Sequence, residues 1–251
     1  MSYKEFNPAI PQNDFRFLQQ HGLKPHHKIL DVGCGGGRMG YELINYLHSG
    51  NYYGFDKRRL EINRFLTGMR SAPDLATKSA EIHVDNFELR QFDEYTKFDF
   101  VYAYSVFTHV APDLIKTLLK NLKRHISPHS RFYATVLLGS EGFDLGPVHE
   151  RRKNEYSGVW YTLEFLQSLG DLQGYDVKFV GDEKQTWEGV SRMLGDWKGT
   201  ERFAPHAPWL DTRRWAPFYT KACKQGKCPA TYNGKHTHSG HQEMVMFRLK
   251  R

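Results

Sequence analysis

An α/β fold built on a parallel sheet is predicted by three features of the chain. Short runs rich in β-branched and aromatic residues recur through its first two-thirds. Amphipathic segments separate these runs. Several of the runs are almost continuously apolar, as strands buried on both faces should be. Strand alternating with helix implies βαβ units joined by right-handed crossovers.

In chain order, "NDFRFLQQHGL" (13–23) reads as a helix with an Asn or Asp cap and a glycine stop. The strand candidates that follow are "KILDV" (28–32), "YYGFD" (52–56), "EIHVD" (81–85), "FDFVYA" (98–103) and "RFYATVLL" (131–138). Between them, 36–50, 57–69 and 112–126 are predicted helices. In the last of these, Leu114, Leu118, Leu122 and Ile126 repeat every four residues, one stripe of a helix, with Pro112 in the first turn. After the fifth strand, "WYTLEFLQSLG" (160–170) reads as a helix and "YDVKFVG" (175–181) as a strand. Residues 183–240 show no long period, and "EMVMFRLKR" (243–251) is strand-like again. The chain contains no internal repeat or low-complexity tract.

A chain of 251 residues suits one large domain, or one domain carrying an insertion. A hydrophobic content of 39% and a charged content of 25% place it among ordinary globular proteins. The N-terminus "MSYKEFNPAIPQNDF" is polar and broken by prolines, unlike a signal peptide. No apolar run approaches the roughly 18 residues of a membrane span. Three cysteines, Cys34, Cys223 and Cys228, form no disulfide framework, which points to the cytoplasm. A net charge of +7 permits a nucleic acid or another anionic partner. The basic residues are dispersed, however, as solvated faces would be.

The most informative stretch is "ILDVGCGGGRMGYEL" (29–43), where a strand ends on an acid and enters a glycine-rich turn. The dinucleotide fingerprint G-x-G-x-x-G fails, because Arg38 occupies its third position. The spacing that fits is D-x-G-x-G-x-G over Asp31, Gly33, Gly35 and Gly37. This resembles the first motif of class I S-adenosylmethionine-dependent methyltransferases. A carboxylate favours a ligand with an ammonium and a sulfonium, and would repel a pyrophosphate. Asp56 ends the second strand 19 residues beyond Gly37, close to the roughly 20 expected of a ribose-binding acid. Asp85, Asn86 and Phe87 follow the third strand, where the family contacts adenine. "FDFVYAYSVFTHV" (98–110) resembles the fourth-strand motif. The resemblance spans roughly residues 25–182 plus the last strand. It implies S-adenosylmethionine as cofactor, with Lys57 beside the ribose acid and Tyr104 after the fourth strand as further contacts. It also implies a doubly wound, mostly parallel seven-stranded sheet with an antiparallel last strand.

For the acceptor, His109 in "SVFTHV" is the best-placed general base for an oxygen nucleophile. The bland alternative is a structural histidine. His149, Arg151, Tyr156 and Trp160 follow the fifth strand, where acceptors usually lie in this family. No Asn/Asp-Pro-Pro-aromatic tetrapeptide or Pro-Cys nucleophile follows the fourth strand, which disfavours methylation of base amino groups or cytosine C5. The expected acceptor is a small-molecule or sugar/glycan hydroxyl, or an amine. The alternatives are an RNA or cap-type methyltransferase, and a non-catalytic cofactor-binding module.

The family joins its last two strands by a short loop, so the organisation expected is a core over 1–182, an insertion or lid over 183–242 and a final strand over 243–251. The insertion's Trp187, Trp197, Trp209 and Trp215 supply large apolar faces. Cys223, Cys228, His236, His238 and His241 suggest zinc by residue type, but their spacing matches no familiar finger. No metal is expected. Cys34 is read as a small filler within the turn.

Overall fold

The computed structural model describes residues 9–138, 143–145, 159–180 and 243–250. The described helices are α1 (Ala9–Gln20), α2 (Gly40–Tyr46), α3 (Arg59–Arg70), the single turn α4 (Pro73–Ala76), α5 (Pro112–Leu122) and α6 (Leu163–Leu172). The described strands are β1 (Ile29–Val32), β2 (Tyr52–Asp56), β3 (Glu81–Val84), β4 (Phe100–Ala103), β5 (Arg131–Leu138), β6 (Phe143–Leu145), β7 (Val159–Tyr161), β8 (Tyr175–Phe179) and β9 (Glu243–Leu249).

Seven of these strands run in the order β3-β2-β1-β4-β5-β9-β8. The first five are parallel, and β9 is antiparallel to both β5 and β8, as the resemblance implied. Every residue of β1, β2 and β4 is buried, which explains their continuous apolar reading. β3, at the sheet's edge, is more exposed. Helices cover the sheet on both sides, giving two core clusters, one centred on α5 and α6 and the other on α2 and α3.

Several boundaries differ from the sequence reading, each for a local reason. α1 begins at Ala9, so Asn13 and Asp14 lie inside the helix rather than capping it. Its predicted stop holds: Gly22 takes φ +93° and the Leu23 amide donates back to the Leu18 carbonyl at 2.9 Å. α2 starts only at Gly40 because the residues before it are spent on the glycine turn. Trp160 and Tyr161 were read as helix, yet they belong to β7, which pairs with Leu137 and Leu138 at the end of β5. Tyr161 is buried and its hydroxyl donates to the Val110 carbonyl, while the Val159 amide donates to Thr108. Those anchors outweigh helical propensity, and α6 starts one residue past Thr162, whose Oγ1 accepts from the Phe165 amide at 3.1 Å.

In α5 the buried face is Ile115, Leu118, Leu119 and Leu122, with Leu114 only partly buried. A four-residue row drifts around a helix of 3.6 residues per turn, so the true stripe follows i, i+3, i+4, i+7. Leu118→Ala should therefore cost about 2–5 kcal/mol in urea denaturation. Leu114→Ala should cost clearly less, and equal losses would reinstate the four-residue stripe.

Candidate active site

β1 lies between β2 and β4, the point where the strand order reverses and the connections leave in opposite directions. Three carboxyl groups gather at the carboxyl ends of neighbouring strands. Asp31, Asp56 and Asp85 are 4%, 6% and 8% exposed. Over them runs the turn Gly33–Gly37, in which Gly33, Gly35 and Gly37 all have positive φ.

The glycines serve two purposes. A Cβ on Gly37 (φ +87°) would stand 2.3 Å from the ring of Phe65 in α3, so this glycine lets helix and turn close together. A Cβ on Gly35 (φ +54°) would meet nothing within 4 Å. The space over Gly35 is open, as a ligand lying close to the backbone requires.

Among the described residues the Asp31 side chain is held by the Tyr52 hydroxyl, which donates to Oδ2 at 2.8 Å. Burial raises its pKa to about 7, the Tyr52 hydrogen bond opposes the rise, nearby Asp56 adds to it, and Arg38 opposes it. Asp56 staples the turn: Oδ2 accepts from the Gly35 amide at 3.1 Å and Oδ1 from the Arg58 amide at 2.8 Å. Asp85 uses Oδ1 to accept from the Glu88 and Leu89 amides at 2.8 and 3.2 Å, and its own amide donates to the Asp56 carbonyl. The acids singled out as ligand contacts thus also fix the loops that would hold the ligand.

Lys57 and Asn86 are exposed beside Asp56 and Asp85. Phe87, at φ +67°, turns its ring into the core, edge-on to Phe55 at 5.8 Å. Tyr104 is stacked on Tyr102, with ring centroids 6.2 Å apart, and the Arg38 guanidinium lies 5.2 Å over its ring. Burial, reinforced by Asp14 and opposed by Arg38, pushes the Tyr104 hydroxyl up to about 12. His109 is exposed in the turn after β4, its amide donating to the Val106 carbonyl at 2.9 Å. His149, Arg151 and Tyr156 lie outside the described residues, as do the side chain of Trp160, the 183–242 insertion and Cys223, Cys228, His236, His238 and His241. Among the described residues no cluster of metal-ligating side chains occurs, and no helix is long and apolar enough to cross a membrane. Burial pushes the Cys34 thiol well up, keeping it neutral, in keeping with a filler.

Sequence reasoning missed Asp14, Arg38 and Tyr102. Reading Asp14 as a helix cap concealed that it faces the turn. Arg38, directly after the last glycine, was the one available signal.

This site suits S-adenosylmethionine: open backbone at Gly35 for close approach, and carboxyl groups that complement a cationic ligand. Residues 30–132 match a family described as a methyltransferase domain. Sterol 24-C-methyltransferase of Aspergillus fumigatus is 29% identical over 147 residues, 58% of this chain but only 37% of the fungal protein. The chain therefore spans little more than a third of that relative's length. Among solved structures, one described as a candidate sarcosine dimethylglycine methyltransferase from Galdieria sulphuraria superposes with a TM-score of 0.60 at 15% identity, over 95% of this chain and 84% of that one. Magnesium protoporphyrin IX methyltransferase from Synechocystis PCC 6803, solved with bound S-adenosylmethionine, gives a TM-score of 0.50 at 14% identity, over 69% and 71%. Residues 30–132 thus form a methyltransferase domain, and the fold is the one shared by these solved methyltransferases.

Two predictions follow the geometry of the turn. Gly37→Ala should lower stability by about 1–3 kcal/mol through backbone strain and the Phe65 clash. Gly35→Ala should leave the fold closer to wild type, yet abolish titratable binding of S-adenosylhomocysteine; unchanged binding would place the ligand elsewhere. The second concerns Asp31, whose folded pKa of about 7 exceeds its ordinary value of 3.8. The stability supplied by its neutral form is complete below about 3.8 and is lost as pH rises through about 7. In urea titrations of the ligand-free protein, Asp31→Asn should therefore flatten the fall in stability between pH 5 and pH 8. An unaltered pH slope would show that Asp31 is not the group responsible.

Proposed function

We propose that the chain transfers the methyl group of S-adenosylmethionine to a hydroxyl or amine of a small molecule or glycan. The carrying observation is the open backbone at Gly35, walled by the carboxyl groups at the ends of β1 and β2. When bound, the cofactor supplies a methyl carbon activated by its sulfonium leaving group, so positioning provides much of the catalysis. Asp56 is assigned to the ribose hydroxyls, Lys57 to the space beside them, and Asp85 with Asn86 and Phe87 to adenine. Asp31 and Tyr104 are assigned to the methionine end.

His109 is proposed as the general base for an oxygen acceptor. Its place in the exposed turn after β4, on the carboxyl side of the sheet, supports that role. In that role the imidazole would take up the proton that an acceptor hydroxyl gives up on methylation. His149, Arg151, Tyr156 and Trp160 are proposed acceptor contacts. A small-molecule acceptor accords with the sterol named for the fungal relative. The division into a core over 1–182, an insertion over 183–242 and a final strand over 243–251 is part of the same proposal. It is supported by β8 and β9 pairing directly across the sheet's edge.

His109→Ala should cut turnover by roughly 10²–10⁴ with S-adenosylhomocysteine affinity nearly intact. Loss of affinity and of stability together would instead mark a structural histidine. Asp56→Ala should weaken S-adenosylhomocysteine by about 1–3 kcal/mol in isothermal titration. Tritium transfer from labelled cofactor into metabolite extracts, with total RNA as a parallel acceptor, tests the acceptor class. Uptake confined to RNA would overturn the small-molecule reading.

A further inference from the structure

His109 is the one exposed residue of the turn 105–110, and both of its chain neighbours are buried, Thr108 at 2% exposure and Val110 at 5%. Phe107 seats the turn on the core, edge-on to Phe132 of β5 at 5.9 Å and to Phe247 of β9 at 5.8 Å. Buried at this depth, the carbonyls of Thr108 and Val110 need partners. β7 supplies both. The Val159 amide donates to the Thr108 carbonyl at 2.9 Å, and the buried Tyr161 hydroxyl donates to the Val110 carbonyl. The backbone is therefore held one residue before His109 and one residue after it.

The start of the same turn is held from β5. Ser105 takes φ +55°, a left-handed conformation that residues with a side chain rarely adopt. Its amide donates to Thr135 Oγ1 at 2.7 Å, and Thr135 is itself buried. These contacts are long-range, spanning 30 residues for Ser105 with Thr135 and 51 for Val110 with Tyr161. Backbone strain persists where the surrounding structure over-determines it, and such places cluster at functional sites.

A general base is effective when its backbone holds it within a narrow range of positions. We propose that Tyr161 and Thr135 are positioning residues for His109. Through their hydrogen bonds, β7 and β5 hold the turn so that the imidazole is presented in one place on the carboxyl side of the sheet. Neither side chain is assigned to the reacting atoms. β7 also carries Trp160, a proposed acceptor contact, so one strand both bears an acceptor residue and sets the base. This rests on the reading of His109 as the general base.

The test is a double-mutant cycle read by tritium transfer from labelled cofactor into metabolite extract. Tyr161→Phe keeps the ring and removes the hydroxyl that bonds to Val110. It should lower transfer roughly ten- to hundredfold, with S-adenosylhomocysteine bound as tightly as by wild type in isothermal titration. In a His109→Ala background the same change should lower transfer no further. Thr135→Val, which removes the acceptor for the Ser105 amide, should follow the same pattern and serves as the test if Tyr161→Phe does not fold. In protein labelled with ¹⁵N in its histidine rings, the His109 signals are identified by their loss in His109→Ala. Tyr161→Phe should shift or broaden those signals and leave the signals of His83, on the edge strand β3, in place. That measurement needs no acceptor, so it decides the placement of the imidazole even where the extract takes up no tritium. Unmoved His109 signals, equal losses of transfer in both backgrounds, or a parallel loss of S-adenosylhomocysteine affinity would each overturn the inference and leave Tyr161 and Thr135 as structural residues only. If His109→Ala itself leaves transfer unchanged, the reading of His109 as the base fails, and this inference with it.

Discussion

A carboxyl group at the end of a fully buried strand, held by one tyrosine hydroxyl, is the constraint on which the site depends. Asp31 on β1 is buried, and Tyr52 on the adjacent β2 donates to its carboxyl group. Burying a carboxylate without a cation is costly, so the group is held close to neutral in the ligand-free chain. Asp56 raises that cost and Arg38 lowers it, which leaves the local charge balance poised for a cationic ligand. The strand cannot end on an apolar residue without removing this property, nor can the acid move outward without losing it.

The turn that follows is shaped by packing on one side and by ligand access on the other. Gly37 lets α3 press Phe65 against the backbone, and Tyr41 of α2 completes the contact with its ring edge-on to Phe65 at 5.1 Å. Asp56 reaches across from β2 to pin the Gly35 amide, so the two strands that border the site are joined through the turn itself. Asp85 repeats the device one strand further on, fixing the backbone after β3. The carboxylates of Asp56 and Asp85 therefore have a role in folding beside the one proposed for them in recognition. Each has two oxygens and several lone pairs, so an acid can anchor a loop and still accept from a ligand.

Much of the fold was legible in the sequence because its signals are local. β1, β2 and β4 are buried on both faces and advertise themselves as apolar runs; α3 and α5 show their periods directly. The legible part of the site was likewise carried by residues close together in the chain, from Asp31 to Gly37 and on to Asp56. The errors arose where long-range contacts prevailed. β7 is a strand because Val159 and Tyr161 bond to the turn after β4, fifty residues earlier, and no window around Trp160 contains that turn. At α5 the expected Leu118, Leu122 and Ile126 are buried, but Leu114 is only partly so and Ile115 and Leu119 join the face, because only the opposing sheet decides which side of a helix faces inward.

The sequence by itself determined the alternation of strand and helix, the acid-bearing glycine turn and the class of ligand this turn can accept. These follow from backbone conformational freedom and from charge, both of which are properties of neighbouring residues. Tertiary structure alone decided that Asp14 meets Arg38, Tyr102 and Tyr104, because those four residues come from three separate parts of the chain. It also decided how strongly the acids resist ionisation, since desolvation depends on everything packed around a group and not on its place in the chain.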